Sequence, residues 1–218
     1  MENKPLNKIK NNSPYSASIT GCGFCFYEFI RILSLLMDEN ADELLRKEVK
    51  DNNVLMINSF TSRSRFVSEF KKRYKSVSIF FWNEFGKMSE SGKKAGLLYV
   101  ILKTYKLIFD IHFNVTLKNW NSINQTVTKN DVLMEFLEIS ARDEFVNNWS
   151  DNTKSKCASQ YLTILKQAGM MKDNSSELQA LHLDPTDFEY YIRNGEEWFL
   201  EACLLYPYEI NEIKSRLQ

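Results

Sequence analysis

The sequence predicts a mainly α-helical protein, in which an N-terminal helical bundle is followed by a winged helix-turn-helix-like unit with a small β-hairpin. Only 7 Gly and 4 Pro occur among 218 residues, so turn-forming residues are scarce and long helices are favoured over many short strands. Hydrophobic residues make up 44% of the chain and recur mainly at the three- and four-residue spacing of helices. This content is typical of a globular protein with a proper core.

The first part of the chain is expected to form a disordered lead-in at residues 1–14 and a helical bundle at residues 15–120. The lead-in is polar and lacks the apolar core of a secretion signal. The apolar periodicity of the bundle predicts helices near 26–37, 42–49, 61–75, 78–85 and 91–112, and a short closing segment near 115–120.

The second part begins after a polar linker at residues 119–125 and is expected to hold the winged unit at residues 126–184. Its three predicted helices are one capped by Asn130, one at residues 143–149, and one at residues 153–168 that is capped from the turn Ser150-Asp151-Asn152 and ends at Gly169. Short extended segments at 170–172 and 179–183 predict the hairpin. Three helices followed by a hairpin is the element order of a winged helix-turn-helix.

The C-terminal segment, residues 185–218, is expected to form two helices broken at Pro207. From Asp184 onward this end of the chain carries eight acidic residues against Arg193, Lys214 and Arg216. Formal net charge is zero for the whole chain, which argues against a protein that coats nucleic acid by bulk charge. Residues 61–75 and 153–172 are nevertheless locally basic, so any nucleic-acid binding would be a local property.

The third helix of the winged unit presents an outer face without any acidic residue. Lysines there can neutralise phosphates, hydroxyls can donate to phosphate oxygens, and Gln can pair with a base edge. The helix N-terminus favours a phosphate near its first residues. The candidate binding residues on this helix and the adjoining wing are Thr153, Lys154, Lys156, Ser159, Gln160, Thr163, Lys166 and Lys172. The alternative interpretation is a solvated polar face, or a winged helix used for protein binding.

The basic stretch at 61–75 supplies a second candidate surface. On a helix, Arg65, Lys72 and Lys75 point outward. Arg63 projects toward the apolar face, where we expect it to pair with a carboxylate of a neighbouring helix. Two interpretations of this stretch stay open: it binds nucleic acid, or it is a solvated helix face.

No pattern of an enzyme or a cofactor site occurs in the sequence. Cys22-Gly23-Phe24-Cys25 is a C-x-x-C without a preceding strand and without a second cysteine pair, so neither a redox motif nor a zinc site is expected. His112 and His182 accompany no nucleophile elbow or phosphate loop. We therefore expect no catalytic residue, no cofactor and no metal.

The most apolar stretches, residues 24–37 and 97–113, are interrupted by charged residues. Neither contains the run of about 20 apolar residues that a membrane-spanning helix needs. A cytoplasmic protein without membrane contact is expected.

Three sequence elements together resemble the BrxA family of bacteriophage exclusion (BREX) defence systems, from about Tyr15 to the C-terminus. The first is Ser18-Ile19-Thr20-Gly21 ahead of a helix bearing Glu28. The others are Asp51-Asn52-Asn53 with Ser62-Arg63-Ser64-Arg65 and Arg73-Tyr74, and residues 149–156 continuing to 164–171.

The resemblance implies an all-helical, non-catalytic protein with a small hairpin that binds double-stranded DNA, here through the third helix and wing. It also implies work alongside the methyltransferase, ATPase and phosphatase-like proteins of the system. Two alternatives stay open. One is a protein-interaction scaffold using the bundle, the acidic C-terminal helices and the aromatic residues Trp198 and Tyr206. The other is RNA binding through residues 61–75, since the family has been likened to the RNA-binding protein NusB.

Overall fold

The structure, a computed structural model, describes residues 12–172 and 174–217. Residues 1–11 of the expected lead-in and Asp173 of the expected wing turn lie outside this part of the chain. The described part is mainly helical, as predicted. After a 3-10 turn at Ser18–Gly21, its first half contains α1 (Phe26–Met37), α2 (Ala41–Asp51), α3 (Phe60–Lys75), α4 (Ile79–Lys87), α5 (Glu90–Thr104), α6 (Lys106–Ile111), a π-helical segment (His112–Leu117) and α7 (Lys118–Trp120).

Helix α5 is the centre of the first half, because every residue from Ala95 to Leu102 is buried. The single helix predicted at residues 91–112 is in fact two, since Tyr105 adopts an extended conformation between α5 and α6. The hydroxyl of Tyr105 donates to Glu69 of α3 at 2.7 Å, so a tertiary contact holds the break. Sequence periodicity continues across such a break and does not reveal it.

Two side chains cap α5 together. The Ser89 hydroxyl accepts the N–H of Gly92 at 2.9 Å and donates to Asp187 at 2.6 Å. Asp187 is a buried residue of the C-terminal region and also accepts the N–H of Ser89 at 3.1 Å. A carboxylate at a helix N-terminus is stabilising, so the C-terminal region is tied directly to the core helix.

The second half contains α8 (Lys129–Arg142), α9 (Glu144–Asn147), α10 (Asp151–Ala168), α11 (Pro185–Arg193), α12 (Trp198–Ala202) and α13 (Pro207–Arg216). Helix α8 begins with a capping box of Thr128 and Asp131, so the cap predicted at Asn130 was two residues late. Ser150 caps α10 and the left-handed Gly169 (φ 87°) ends it, both as predicted.

The predicted β-hairpin of the winged unit is not supported, because the described residues contain no strand. Of two isolated antiparallel bridges, Met171 with Leu178 lies at the expected hairpin, whereas Thr126 with Glu177 joins it to the segment before α8. The pairing ends at Met170, because α10 ends directly before it at Gly169, and Leu181 instead donates its N–H to the carbonyl of Cys203 at 2.9 Å. A wing in the usual two-stranded form is therefore absent from the described part.

The C-terminal region was predicted as two helices broken at Pro207 and contains three. An additional break separates α11 from α12 around Gly195, which has φ of 70°. Pro207 starts α13, where a missing N–H costs nothing. No helix in residues 12–172 or 174–217 is both long and apolar enough to cross a membrane.

The tryptophans are buried in the core (Trp82, Trp120) or packed against it partly buried (Trp149, Trp198). The aromatic residues that suggested a scaffold are therefore not exposed platforms. Trp198 stacks on Tyr99, with ring centroids 5.7 Å apart. Tyr206 stacks on Trp120 at 5.4 Å.

Candidate nucleic-acid interface

Helix α10 is divided into a buried face and a polar face, as its periodicity predicted. The buried residues are Cys157, Ala158, Tyr161, Ile164, Leu165 and Ala168, and Leu162 is half-buried. The predicted residues Lys156, Ser159, Thr163 and Lys166 are exposed. In the described part of the chain, Lys154, Lys156 and Lys166 form no ion pair with a carboxylate.

The polar face of α10 is partly covered by the turn that precedes α1. Gln160 is half-buried, and a Cβ placed on Gly23 would lie 2.5 Å from its Nε2 atom. Gly23 also has φ of 51°, a conformation that favours glycine. The turn and α10 therefore form one continuous surface, which the sequence pattern of α10 alone does not reveal.

Replacing Gly23 with alanine tests this contact. We expect a loss of about 1 kcal/mol in the free energy of unfolding, because alanine is strained at positive φ and its Cβ meets Gln160. Urea denaturation measures the loss. The double variant G23A/Q160A should recover the steric part, whereas an equal loss in both variants would mean that Gln160 does not pack on the turn.

A groove of about 430 Å³ runs between the turn and α10. Its lining contains two lysines, hydroxyls and an amide but no acid: Thr20, Lys129, Ser155, Lys156, Ser159, Gln160 and Thr163. A second groove, of about 610 Å³, shares Thr20, Gln160 and Thr163 with the first and continues toward Lys94, Gln167 and one acid, Glu28. We refer to the two as the α10 trough. Sequence reasoning missed Thr20 and Lys129, because only the fold brings them beside Lys156.

The N-terminus of α10 is less available than predicted. Thr153 and Lys154 are half-buried, and the N–H of Thr153 donates to the Ser150 hydroxyl at 3.2 Å. Asp151 adds a negative charge in the first turn. At the other end of the predicted surface, Lys172 is exposed but pairs with Glu177. These three predicted residues therefore stand outside the trough lining.

The basic residues of α3 are distributed over different surfaces. Arg65 reaches the turn from the side of α3, because a Cβ on Gly21 would lie 2.8 Å from its Nε atom. Lys72 lies over the ring of Tyr105 at 4.7 Å. Lys75 lines a different groove, beside Asp42 of α2. Of the three predicted residues of α3, Arg65 is the one placed against the turn that borders the α10 trough.

The prediction that Arg63 pairs with a carboxylate of a neighbouring helix is wrong. It is buried as expected, but its guanidinium donates to three backbone carbonyls, those of Val49 at 2.8 Å, Ile57 at 2.6 Å and Asn58 at 2.9 Å. A backbone carbonyl has no sequence signature, so these three partners could not be identified from residue types.

The C-x-x-C motif forms the turn that borders the trough. Cys22 and Cys25 are both free, and the Cys25 thiol donates to the carbonyl of Cys22. The close approach of the two side chains lowers the pKa of the Cys22 thiol and raises that of the Cys25 thiol. The turn is anchored by Arg73, which donates to the carbonyls of Gly23 and Phe24. Within the described ranges, no group of three or more His, Cys, Asp or Glu could hold a metal ion.

The acidic C-terminal region does not line the α10 trough, and most of its charge is paired. Five of its carboxylates contact a basic side chain: Glu189 with Arg193, Glu196 with Lys103, Glu197 with Lys214, Glu209 with His182 and Glu212 with Arg216. Asp184 caps α11 and Asp187 caps α5. The acidic tail is therefore directed to internal contacts and does not oppose the lysines of the trough.

Two kinds of relative identify one family, and a solved structure shares the fold. A family model described as BrxA matches residues 13–195 of this chain. The chain is similar to the BREX protein BrxA of Bacillus cereus (strain H3081.97), with 24% identity over 160 residues that cover 73% of this chain and 80% of the relative. A crystal structure of an uncharacterized protein from Magnetospirillum magneticum has the same fold, with a TM-score of 0.73 at 20% identity over 88% of this chain and 98% of that one.

Proposed function

The chain belongs to the BrxA family, and from this membership we propose that it is a non-catalytic, double-stranded DNA-binding component of a BREX phage-defence system. The curated relative carries the name of a BREX protein. The other proteins of such a system, among them its methyltransferase, ATPase and phosphatase-like component, are the proposed partners.

One observation supports the DNA-binding part of the proposal, namely that no described acid lines the smaller groove of the α10 trough, the one that contains Lys129 and Lys156. Lys129 and Lys156 come from different helices and stand among hydroxyls and an amide. Lysines supply charge for phosphates, and hydroxyl groups donate to phosphate oxygens. Arg65 adds a third cation at the adjoining turn. Few phosphate contacts of this kind predict modest, salt-dependent affinity.

The covered face of α10 suggests how DNA would be contacted. The major groove is about 12 Å wide and admits a single helix. Because the turn lies alongside Gln160, α10 does not project as a free recognition helix. We propose that α10, the turn and Lys129 contact the backbone of the duplex together, with few base contacts and weak sequence specificity.

Charge reversal of the trough tests the proposal. The double variant K129E/K156E should bind a short duplex at least tenfold more weakly than the unchanged protein, because two phosphate contacts become repulsive. The slope of log affinity against log salt should fall by about two. Fluorescence anisotropy of a labelled duplex, titrated at several salt concentrations, measures both quantities.

Lys75→Glu is the matched control, since Lys75 is exposed but lines a groove beside Asp42. It should retain most of the affinity. Equal losses in the control and the double variant, or no duplex binding at low salt, would refute the proposal. Structured RNA serves as a competitor, and stronger competition by RNA than by duplex DNA would favour the RNA-binding alternative.

A further inference from the structure

Helices α2 and α3 leave an open groove of about 760 Å³ between them, and none of its lining residues takes part in the α10 trough. We call it the α2–α3 groove. Its floor is apolar and comes from both helices, with Leu45 and Val49 on α2 and Val67 on α3. Phe60, the first residue of α3, stands at its edge with 59% of its surface exposed. An apolar floor beside an exposed aromatic ring is typical of a protein-binding groove.

The loop between α2 and α3 is held by a buried acid. Glu48 is 4% exposed, and its carboxylate accepts backbone N–H groups of Asn53, Val54 and Leu55. The side-chain oxygen of Asn52 accepts the N–H of Ile57 at 2.9 Å. These contacts order one side of the loop.

Arg63 holds the other side of the same loop through the carbonyls of Ile57 and Asn58, and it ties the loop to α2 through the carbonyl of Val49. The loop leads directly into Phe60, and the guanidinium of Arg63 lies 5.8 Å from the centre of that ring. The position of the exposed ring is therefore fixed before any ligand binds. Such preorganisation reduces the ordering cost of association.

The charges at the edge of the groove are mainly positive. Arg46, Lys50 and Lys71 line it against the single acid Asp42, which pairs with Lys71. Among the residues that the structure describes, Arg46 and Lys50 form no ion pair with a carboxylate. Charge complementarity calls for an acidic ligand.

We propose that the α2–α3 groove docks an acidic amphipathic helix of a partner protein. The apolar face of such a helix covers Leu45, Val49 and Val67, and its carboxylates face Arg46 and Lys50. A nucleic-acid backbone also carries negative charge but has nothing to bury against the apolar floor. The site is separate from the α10 trough, so DNA binding and partner docking are independent properties of the chain.

The probe for this site is a fluorescein-labelled 18-residue peptide designed as an amphipathic helix. Leu occupies one face at the spacing i, i+3, i+4 and i+7 along the whole peptide, and Glu occupies all other positions. Anisotropy titration of the full chain should give saturable binding. Phe60→Asp should weaken it at least tenfold, because it removes the exposed ring and adds a negative charge. Aspartate is favourable in the first turn of a helix, so α3 is expected to fold in this variant.

Phe80→Asp is the matched control. Phe80 is 72% exposed and also lies in the first turn of a helix, α4, but does not line the α2–α3 groove. The affinity of the Phe80→Asp variant for the peptide should stay within twofold of that of the unchanged protein. A peptide with Lys in place of Glu, and one of the same composition without amphipathic order, should bind at least tenfold more weakly. Chemical shifts induced by the acidic peptide should concentrate in α2 and α3.

Several results would overturn the proposal. These are no binding of the acidic peptide at millimolar concentration, equal binding of the scrambled or basic peptide, or equal effects of the substitutions at Phe60 and Phe80. A loss of duplex affinity in Phe60→Asp without a loss of peptide affinity would instead assign the groove to nucleic acid. If K129E/K156E does not affect DNA binding, the proposed DNA site fails but the peptide test remains valid, because the two sites share no residue.

Discussion

Replacing Arg73 with methionine should lower the free energy of unfolding by about 2–6 kcal/mol, because two buried carbonyl groups lose their donor at about 1–3 kcal/mol each. Arg73 has no exposed surface. It donates to the carbonyls of Gly23 and Phe24 and, at 3.1 Å, to the hydroxyl of Tyr105. One side chain of α3 thus fixes the turn before α1 and the break between α5 and α6.

Arg216→Met is the control for the loss of an arginine as such. Arg216 is exposed and pairs with Glu212 one helical turn away, an interaction worth about 0.3–0.5 kcal/mol. Urea denaturation of both variants measures the two losses under the same conditions. Similar values for Arg73→Met and Arg216→Met would show that the carbonyls of the turn find other donors, and that Arg73 does not hold the turn in place.

The role of Arg73 was hidden in the sequence, where it is one of six basic residues at positions 61–75. The helix itself and its apolar stripe were predictable, because periodicity is a local signal. The partners of Arg73 and Arg63 are mostly backbone carbonyls, which lie in the turn before α1, near the end of α2 and in the loop before α3. Only the folded chain reveals them, since a carbonyl occurs at every residue.

The candidate interface shows the same division between local and tertiary signals. The polar face of α10 and its limits at Ser150 and Gly169 were predicted, because side-chain pattern and caps determine them. The turn that covers Gln160 and the approach of Lys129 and Arg65 depend on contacts between remote segments. The prediction of a hairpin was wrong for a related reason, since the N–H of Leu181 donates to the carbonyl of the remote residue Cys203.

A buried histidine links α10 to the π-helical segment. His112 is fully buried, and its Nε2–H donates to the carbonyl of Ala202 at 2.8 Å. Its Nδ1 atom therefore accepts from the hydroxyl of Tyr161, at 3.0 Å. The Tyr161 oxygen in turn accepts a hydrogen bond from Thr116. This arrangement requires a neutral imidazole, because Nδ1 must remain unprotonated.

Acidification should therefore destabilise the fold through His112. Burial lowers the pKa of His112 from 6.5 to about 4, so the unfolded chain binds the proton more readily than the folded chain. The contribution of His112 to stability is complete above pH 6.5 and is lost as the pH falls toward 4. At pH 5 the expected loss from this one group is about 2 kcal/mol.

The variant His112→Gln tests this assignment, because glutamine can donate to Ala202 but does not titrate. Its free energy of unfolding should be lower than that of the unchanged protein at pH 8, and it should fall less between pH 8 and pH 5, by about 2 kcal/mol. His182→Gln is the control, since His182 is exposed and lies at the surface beside Glu209. That variant retains His112, so it should keep the loss of stability that is assigned to His112. If both variants lose stability on acidification to the same extent as the unchanged protein, His112 does not bind its proton on unfolding, and the neutral network around Tyr161 is not what acid disrupts.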